Sequence, residues 1–252
     1  MTSALLEQVI QAAEVAGHEA LDVYGSSHAV QTKQDGSPVT EADRRSQAVI
    51  CTRLAELDPG TPVVAEEDVE LAEVAGHGQF WLVDPLDGTK EFISHSDEFT
   101  INIALIESGT PVLGVVLAPA LGRLYAADNA GAFLVNDGER TPIGARSIPP
   151  EGATVVSSRS HGDPEALAEF EAGRQIKDSI TIGSSLKFCL VATGEADLYP
   201  RFGRTMEWDT AAGDAVLRAA GGQVLDLAAG TPLRYGKPGW ENPFFLALGR
   251  ER

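Results

Sequence analysis

The sequence predicts a mixed α/β protein in which an α+β half is followed by an α/β half. Two observations on the 252-residue chain support this fold class. Residues 99–135 alternate apolar with polar positions and carry turn signals, which is typical of an antiparallel meander. Between residues 153 and 220, short apolar strands alternate with segments of helical spacing. We place the division near residue 145, so that the first half comprises residues 1–145 and the second half residues 146–252.

The first half is predicted to begin with two helices. Apolar residues recur at helical spacing over residues 3–24, and Gly25 follows as a helix stop. A polar loop, residues 26–39, leads to a second helix that begins at Thr40. The apolar positions expected on its inner face are Val49, Ile50, Leu54 and Leu57.

Two strands follow, and each leads into a carboxylate. The first is predicted over residues 59–65 and precedes Glu66, and the second is the apolar run 80–83 that precedes Asp84. In the second half we predict strands at residues 153–157, 179–182 and 196–199, and helices at 163–172, 184–193 and 209–220.

Composition restricts the classes of function. The formal net charge is −18, from 37 acidic residues against 19 Lys and Arg, so a generic basic surface for long nucleic acids is not expected. No apolar run is long enough to span a bilayer, and the acidic N-terminal segment predicts no signal peptide. Cys51 and Cys189 both lie in apolar, helical contexts, which favours two reduced thiols in a cytoplasmic protein. Peripheral attachment at the inner membrane face, and the choice between monomer and homodimer, are left open.

Residues 84–89, Asp-Pro-Leu-Asp-Gly-Thr, form the most informative segment. Pro85 fixes φ and Gly88 permits a tight turn, so the loop is held in one shape. Two carboxylates, Asp84 and Asp87, repel each other there unless a cation lies between them, and a hard divalent ion with oxygen ligands fits. With the Thr89 hydroxyl beside it, such a site suits metal-assisted hydrolysis. An ordinary type I turn is the alternative for this segment taken alone.

Three separated motifs make the chain resemble the inositol monophosphatase superfamily, the magnesium-dependent, lithium-sensitive phosphatases. They are Val-Val-Ala-Glu-Glu at residues 63–67, the loop at 84–89, and Trp-Asp-Thr-Ala-Ala-Gly at 208–213. They occur in the family's order, and agreement of three motifs is more specific than any one. The resemblance implies a layered αβαβα fold with the site at the junction of the halves.

The resemblance also implies the metal ligands. Glu66, Asp84 and the Leu86 carbonyl would bind the first Mg²⁺, and Asp84, Asp87 and Asp209 would bind the second, with two or three ions in all. Taken alone, Glu66 is better explained as part of a solvated acidic turn. Asp209 is also explained as a helix N-cap, which is compatible with metal binding because a cap uses one oxygen.

For catalysis the resemblance assigns Asp43 and Thr89, together with Glu66 at the metal. Asp43 would accept a proton from Thr89, and the pair would orient and deprotonate the attacking water. From local sequence, Thr40 and Asp43 are better explained as a helix capping box.

Within the superfamily, the chain most resembles the 3'(2'),5'-bisphosphate nucleotidase branch. This closer resemblance rests on three segments, which are Gly183 to Lys187, Leu198 to Arg201 and Lys90 to Phe92. That branch removes the 3'-phosphate of adenosine 3',5'-bisphosphate, a by-product of sulfate activation, and leaves AMP.

The resemblance implies two sets of substrate contacts. Ser184, Lys187 and Arg201 would hold the phosphate that is not cleaved. The reacting phosphate would lie against Asp87, Gly88, Thr89 and Asp209. Ser160 or His161 is expected near the nucleotide, although a surface loop explains His161 better. Lys33 is equally well explained as the family's loop lysine or as a surface residue.

Two other functions remain open on the sequence. One is the same chemistry on inositol phosphate or another sugar phosphate. The other is a catalytically silent acidic module that binds metal or nucleotide, which would have little need of both Asp43 and Thr89.

Overall fold

The structure, a computed structural model, describes residues 2–25, 31–32, 38–71, 78–159 and 162–250. The helices are α1 (Ala4–Tyr24), α2 (Glu41–Leu57), α3 (Thr89–Ile93), α4 (Pro164–Glu171), α5 (Leu186–Ala192) and α6 (Glu207–Ala219). The strands before residue 145 are β1 (Gln31–Thr32), β2 (Pro38–Val39), β3 (Val63–Ala65), β4 (Gln79–Asp87), β5 (Thr100–Glu107), β6 (Thr110–Ala118), β7 (Arg123–Asp128), β8 (Gly131–Asn136) and β9 (Glu139–Pro142). Those after it are β10 (Ala153–Ser158), β11 (Ile176–Ile182), β12 (Leu198–Arg201), β13 (Gln223–Asp226) and β14 (Phe245–Leu248). Short 3-10 helices cover Glu66–Leu71 and Pro119–Leu121.

The larger sheet contains seven strands in the order β3-β4-β5-β6-β7-β8-β9. β3 runs parallel to β4, and the remaining neighbours are antiparallel, so the predicted meander is confirmed. Alternate residues of β4 are buried on opposite faces. Trp81 and Val83 pack in a core with α1 and α2, whereas Phe80 and Leu82 belong to the core that includes α5 and α6.

The smaller sheet has the order β11-β10-β12-β14-β13. β10 runs parallel to both β11 and β12, and β14 is antiparallel to both of its neighbours. β14 follows β13 in sequence, yet it lies between β12 and β13. One face of this sheet packs on α5 and α6, and the other carries Phe170 of α4. The layers are therefore α1/α2, the large sheet, α5/α6, the small sheet and α4, which is the expected αβαβα arrangement.

Several element boundaries differ from prediction. β4 does not end at Asp84 but continues to Asp87 through an irregularity in its register. Helices α5 and α6 begin at Leu186 and Glu207 rather than at 184 and 209. On α2, Ile50 and Leu54 are buried as expected, whereas Val49 and Leu57 are half-buried.

Helix α3 and strands β13 and β14 are not predictable from the sequence, because each is short and its pairing or packing is set by residues distant in sequence. The division near residue 145 stays a prediction. None of the helices that the structure describes is long and apolar enough to cross a lipid bilayer.

The contact between α6 and the large sheet depends on small residues. A Cβ atom added to Gly114 of β6 would lie 2.6 Å from the carbonyl oxygen of Ala212 and 2.6 Å from Cβ of Ala215. The partner atoms are backbone and a rigid methyl group, so the helix itself would have to move away. Glycine at residue 114 therefore sets how closely α6 approaches the sheet.

We expect Gly114→Ala to lower the free energy of unfolding by about 1–3 kcal/mol, the usual cost of overpacking a well-packed core. Urea denaturation followed by circular dichroism measures this change. Gly60→Ala is the matched control, because a Cβ there would meet no atom within 4 Å. The control should change stability by less than about 0.5 kcal/mol. Equal effects of the two substitutions would contradict the close contact of α6 with β6.

Candidate active site

One cavity of about 690 Å³ is lined by residues of both halves. Among the described residues that were predicted for the site, all except Asp43 line it: Glu66, Asp84, Leu86, Asp87, Gly88, Thr89, Ser184, Lys187, Arg201 and Asp209. The sequence-predicted set is thus brought together in space, with acidic residues contributed mainly by the first half and basic residues by the second. Asp43 is buried on α2 and lies outside the lining.

Glu66 and Asp84 come together because β3 and β4 run in parallel. Ala65, the last residue of β3, pairs with Val83, so Glu66 at the start of the following 3-10 helix lies near Asp84. Asp84 lies two residues after Leu82 on β4, so the two side chains point to the same face of the sheet. The side chain of Leu82 packs on the α5/α6 side. The carboxylate is therefore directed toward the second half.

Asp84 and Asp87 are three residues apart, and in a regular strand they would point to opposite faces of the sheet. The irregularity between them removes this conflict. Asp84 pairs with Asn102 and Asp87 pairs with Thr100, so three steps on β4 match two steps on β5. This one-residue bulge returns Asp87 to the face of Asp84.

The residues between the two aspartates suit the bulge. Pro85 lacks an N–H and needs no ladder partner, and the Leu86 N–H donates to Asp84 Oδ1 at 3.0 Å. Gly88 follows in the left-handed region at φ 94°. The motif spacing is therefore a structural requirement for placing two carboxylates on one face.

Asp209 is the third residue of α6 rather than its N-cap, which corrects the prediction. The helix begins at Glu207, and Met206 occupies the N-cap position. The Asp209 Oδ2 atom accepts a hydrogen bond from the Met206 N–H at 2.8 Å. The structural reason is the capping-box geometry, in which the third residue reaches back to the N-cap. This use of Oδ2 leaves Oδ1 for another partner.

Burial and neighbouring negative charges raise the pKa of two acidic residues that line the cavity, Asp84 and Asp209. The pKa of Asp84 lies well above its ordinary value because of burial, with further contributions from Glu66, Asp87 and Asp209. The pKa of Asp209 is raised for the same reasons. Burial also raises the pKa of Asp87, although Lys187 and hydrogen bonds from Ser185 oppose the shift. We call these four carboxylates, Glu66, Asp84, Asp87 and Asp209, the acidic cluster.

The donor chemistry of the acidic cluster fits a hard divalent cation. Carboxylate oxygens, supplemented by the Leu86 carbonyl, are the ligands that such ions prefer, and a cation would offset the mutual repulsion. In the described ranges, no group of three or more Asp, Glu, His or Cys side chains stands close enough together to hold an ion.

Asp43 and Thr89 each have a different hydrogen-bond partner. Asp43 Oδ2 accepts from the Thr40 N–H and the Thr40 hydroxyl, both at 2.7 Å, so the predicted capping box is present. The Thr89 hydroxyl donates to the Leu86 carbonyl at 3.4 Å. Burial raises the pKa of Asp43, with hydrogen bonds from Thr40 opposing the shift. The proton relay between Asp43 and Thr89 stays a prediction.

The cavity also carries positive charge, and Lys187 interacts electrostatically with Asp87 and Arg201 with Asp209. Lys187 is 5% exposed, and its ammonium group donates to the Ser184 carbonyl. Burial lowers the pKa of Lys187 to about 8, with Arg201 adding to the shift and Asp87 opposing it. Lys187 therefore remains mostly protonated at neutral pH. Arg201 is buried as well, and its Nη2 donates to the Arg204 carbonyl at 3.0 Å.

Ser184 shows two features typical of a functional residue. Its backbone lies in the left-handed region, with φ 48°, although it is not glycine. Its hydroxyl is buried and has no hydrogen-bond partner among the residues that the structure describes. A ligand oxygen in the cavity would satisfy this group.

The start of α6 is fixed by a second segment that sequence analysis did not identify. The Glu207 carboxylate is fully buried and accepts from the N–H groups of Gly236 (2.6 Å) and Lys237 (2.9 Å). Asn242 Nδ2 donates to the Met206 carbonyl at 2.7 Å and to the Thr210 hydroxyl at 3.0 Å. No local pattern signals these contacts, because they join positions about thirty residues apart.

Two further residues that sequence analysis missed as site residues are Asn102 and Ser185. Ser185 belongs to the Gly-Ser-Ser motif, so its place beside the cavity was signalled, but its contacts were not. Asn102 occupies an unremarkable position in an alternating strand. Three predicted positions, Lys33, Ser160 and His161, lie outside the described residues.

Comparison with known proteins supports one family. The model of the inositol monophosphatase family matches residues 1–246. The 3'(2'),5'-bisphosphate nucleotidase CysQ of Salmonella typhimurium is 51% identical over 225 residues, covering 88% of this chain and 90% of that protein. Its counterpart from Escherichia coli K12 is 50% identical over 234 residues, with coverages of 92% and 94%.

A solved structure gives the same result for the fold. CysQ from Bacteroides thetaiotaomicron, described as a bacterial member of the inositol monophosphatase family, superposes with a TM-score of 0.83 at 36% identity. The match covers 98% of this chain and 97% of that one.

We expect Asp84→Asn to raise the unfolding temperature of the metal-free protein at pH 8. A carboxyl whose folded pKa is raised contributes stability below its unfolded pKa of about 4 and loses it as the pH rises toward the folded value. Asparagine does not ionise, so the variant does not lose this stability as the pH rises. Its side-chain oxygen still accepts a hydrogen bond from the Leu86 N–H. In a chain of this size, each kcal/mol corresponds to about 2–4 °C.

Thermal unfolding in EDTA at pH 4 and pH 8 measures the effect, which should nearly vanish at pH 4. The matched control is Asp178→Asn, a substitution of an exposed carboxyl on β11. A metal-free Asp84→Asn protein that is no more stable than wild type at pH 8 would contradict the repulsion within the acidic cluster.

Proposed function

Because the chain belongs to the inositol monophosphatase family, we propose that it is a Mg²⁺-dependent 3'(2'),5'-bisphosphate nucleotidase. The reaction is hydrolysis of the 3'-phosphate of adenosine 3',5'-bisphosphate to AMP and inorganic phosphate. The observation that carries this proposal is the composition of the cavity. A group of carboxylates suited to divalent cations shares it with the buried cations Lys187 and Arg201. A substrate with two phosphates matches such a combination of metal-binding carboxylates and buried cations.

Phosphatases of this family generally use Mg²⁺. In this chain we assign Glu66, Asp84 and the Leu86 carbonyl to one ion, and Asp84, Asp87 and Asp209 to a second, with two or three ions at turnover. When bound, Mg²⁺ would lower the pKa of the attacking water and offset negative charge on the reacting phosphate.

The first half supplies the groups that act on the water. Thr89 places its hydroxyl at the start of α3, immediately after the bulge that carries Asp84 and Asp87. In our assignment it orients the water, and Asp43 receives the proton. This requires the Thr89 hydroxyl to leave the Leu86 carbonyl, to which it donates at the long distance of 3.4 Å.

The second half holds the phosphate that is not cleaved. Lys187 and Arg201 are both buried in the wall of the cavity, where a charge-assisted hydrogen bond to phosphate is strong. The Ser184 hydroxyl adds a donor without losing a partner among the described residues. The substrate is thus a small nucleotide bisphosphate, and we propose a cytoplasmic enzyme that acts as a monomer or homodimer.

The direct test is phosphate release from a panel of substrates with Mg²⁺ or with EDTA. We expect Mg²⁺-dependent hydrolysis, and a higher kcat/KM for adenosine 3',5'-bisphosphate than for inositol 1-phosphate or AMP. Preference for inositol phosphate would favour the sugar phosphatase alternative. Absence of hydrolysis with every substrate, in a protein that binds Mg²⁺, would favour the silent binding module.

Lys187→Met and Arg201→Met should each raise KM for the bisphosphate by about 10- to 100-fold, the equivalent of a charge-assisted hydrogen bond of roughly 1.5–3 kcal/mol. A substrate with a single phosphate lacks the second group, so its KM should hardly change. Lys177→Met, on the exposed surface of β11, is the control for overall charge and should change neither KM. Equal increases with both substrates would mean that Lys187 and Arg201 support the fold or the metal site instead.

Thr89→Ala should lower kcat by about 10²- to 10⁴-fold with little change in KM, because the hydroxyl acts on the water and not on substrate binding. Asp43→Asn should cost a similar factor while keeping an oxygen that caps α2. The double variant should lose little more than either single variant, since the two groups act as one relay. Steady-state kinetics at saturating Mg²⁺ tests this, and fully additive losses would leave Asp43 as a helix-capping residue alone.

A further inference from the structure

Ser185 contacts three different elements of the fold through one hydroxyl group. Its Oγ atom lies 2.8 Å from Asp87 Oδ2, 2.8 Å from the Asp209 carbonyl oxygen and 2.9 Å from Asn102 Nδ2. Asp87 ends β4, Asp209 lies in the first turn of α6, and Asn102 belongs to β5. Asn102 and Ser185 are each 1% exposed, so water does not compete for these contacts.

The chemistry of these groups determines which of them donates and which accepts in each hydrogen bond. An ionised carboxylate and a carbonyl oxygen only accept hydrogen bonds, so the single hydroxyl proton of Ser185 is used toward Asp87 and Asp209. Asn102 must then present its amide N–H to the remaining lone pair of the hydroxyl. The order is therefore Asn102 Nδ2–H to Ser185 Oγ, and Ser185 Oγ–H to Asp87, the charged acceptor being preferred.

The position of Asn102 in the sheet suits its role as the donor to Ser185. It pairs directly with Asp84 across the β4–β5 ladder, at the last regular position before the bulge. Its side chain therefore lies on the same face of the sheet as Asp84. These hydrogen bonds run from Asn102 on the large sheet to Ser185, which precedes α5. From Ser185 they continue to Asp87 at the end of β4.

We propose that Asn102 and Ser185 are positioning residues, which hold the Asp87 carboxylate in the orientation that binds the metal ion. This inference rests on the proposed function, because it takes Asp87 as a metal ligand. Neither residue touches the substrate or the ion. Asn102 acts through Ser185, and Ser185 fixes one oxygen of Asp87 so that the other is presented to the cavity.

A merely structural role makes a different prediction. If the two residues only satisfied each other's buried polar groups, their substitution would lower the stability of the metal-free protein and leave metal affinity unchanged. A positioning role instead lowers metal affinity in a protein that remains folded. Loss of a hydrogen-bond partner of a metal ligand typically weakens binding or activity by about 10- to 100-fold.

The test is Mn²⁺ binding to metal-free protein, measured by electron paramagnetic resonance, for wild type, Ser185→Ala, Asn102→Ala and the double variant. We expect Ser185→Ala to raise the Mn²⁺ dissociation constant, and the Mg²⁺ concentration for half-maximal activity, by about 10- to 100-fold. At saturating Mg²⁺, kcat and the KM for the bisphosphate should return close to wild-type values. The double variant should bind no more weakly than Ser185→Ala, since Asn102 acts only through Ser185.

Ser46→Ala is the matched control, because it removes another fully buried serine hydroxyl, which donates to the Ala16 carbonyl at 3.1 Å away from the cavity. Unfolding temperatures in EDTA compare the loss of stability in the two serine variants. Normal Mn²⁺ affinity in Ser185→Ala, with wild type binding well, would overturn this inference alone. A wild-type protein that binds no Mn²⁺ would overturn the metal assignment and this inference together.

Discussion

The rest of the site depends on one electrostatic constraint, which is that carboxylates from separate elements must share a partly buried space. Burial and mutual repulsion both favour their protonated forms. The carboxylates stay close together because the backbone of each residue that carries them is held in place. Asp84 and Asp87 are held by β4 and its bulge, and Asp209 by the capped first turn of α6. Because these residues lie on regular elements, local movement of a loop does not relieve the repulsion, and a divalent cation would offset it.

This constraint explains why the site lies on regular elements. Glu66 and Asp84 follow paired positions of two parallel strands, so their spacing is that of neighbouring strands in a sheet. Asp209 is carried by a helix that the small residues Gly114, Ala212 and Ala215 allow to pack closely on the same sheet. The relative positions of these carboxylates are consequently set by the packing of the layers. Geometry held by sheets and helices is more exact than geometry held by mobile loops.

Much of the fold and the site follows from the sequence, and the limits are physical. The helices α1 and α2 and the meander were predictable because their hydrophobic periodicity is strong and local. The residues that line the cavity were found through motifs, yet the capping role of Asp209 at the third helical position was not. The roles of Asn102 and Glu207 were hidden, because their partners are distant in sequence and the patterns around them are those of an ordinary strand and helix. β14 was missed for a similar reason, since four residues define a strand only when neighbouring strands are already in place.

The position of β14 in the small sheet has a consequence for biosynthesis. β14 is made after β12 and β13, but it pairs with both of them. While the chain emerges from the ribosome, β12 and β13 therefore each have an edge without its final neighbour until residues 245–248 arrive. The segment that clamps α6, around Gly236 and Asn242, is also made late. The acidic residues near position 84 are made many seconds before that segment at ordinary rates of translation. A nascent chain of this protein must consequently remain soluble with its charge cluster unassembled and with open strand edges, which makes the half-made sheet a place where chaperones would be expected to act.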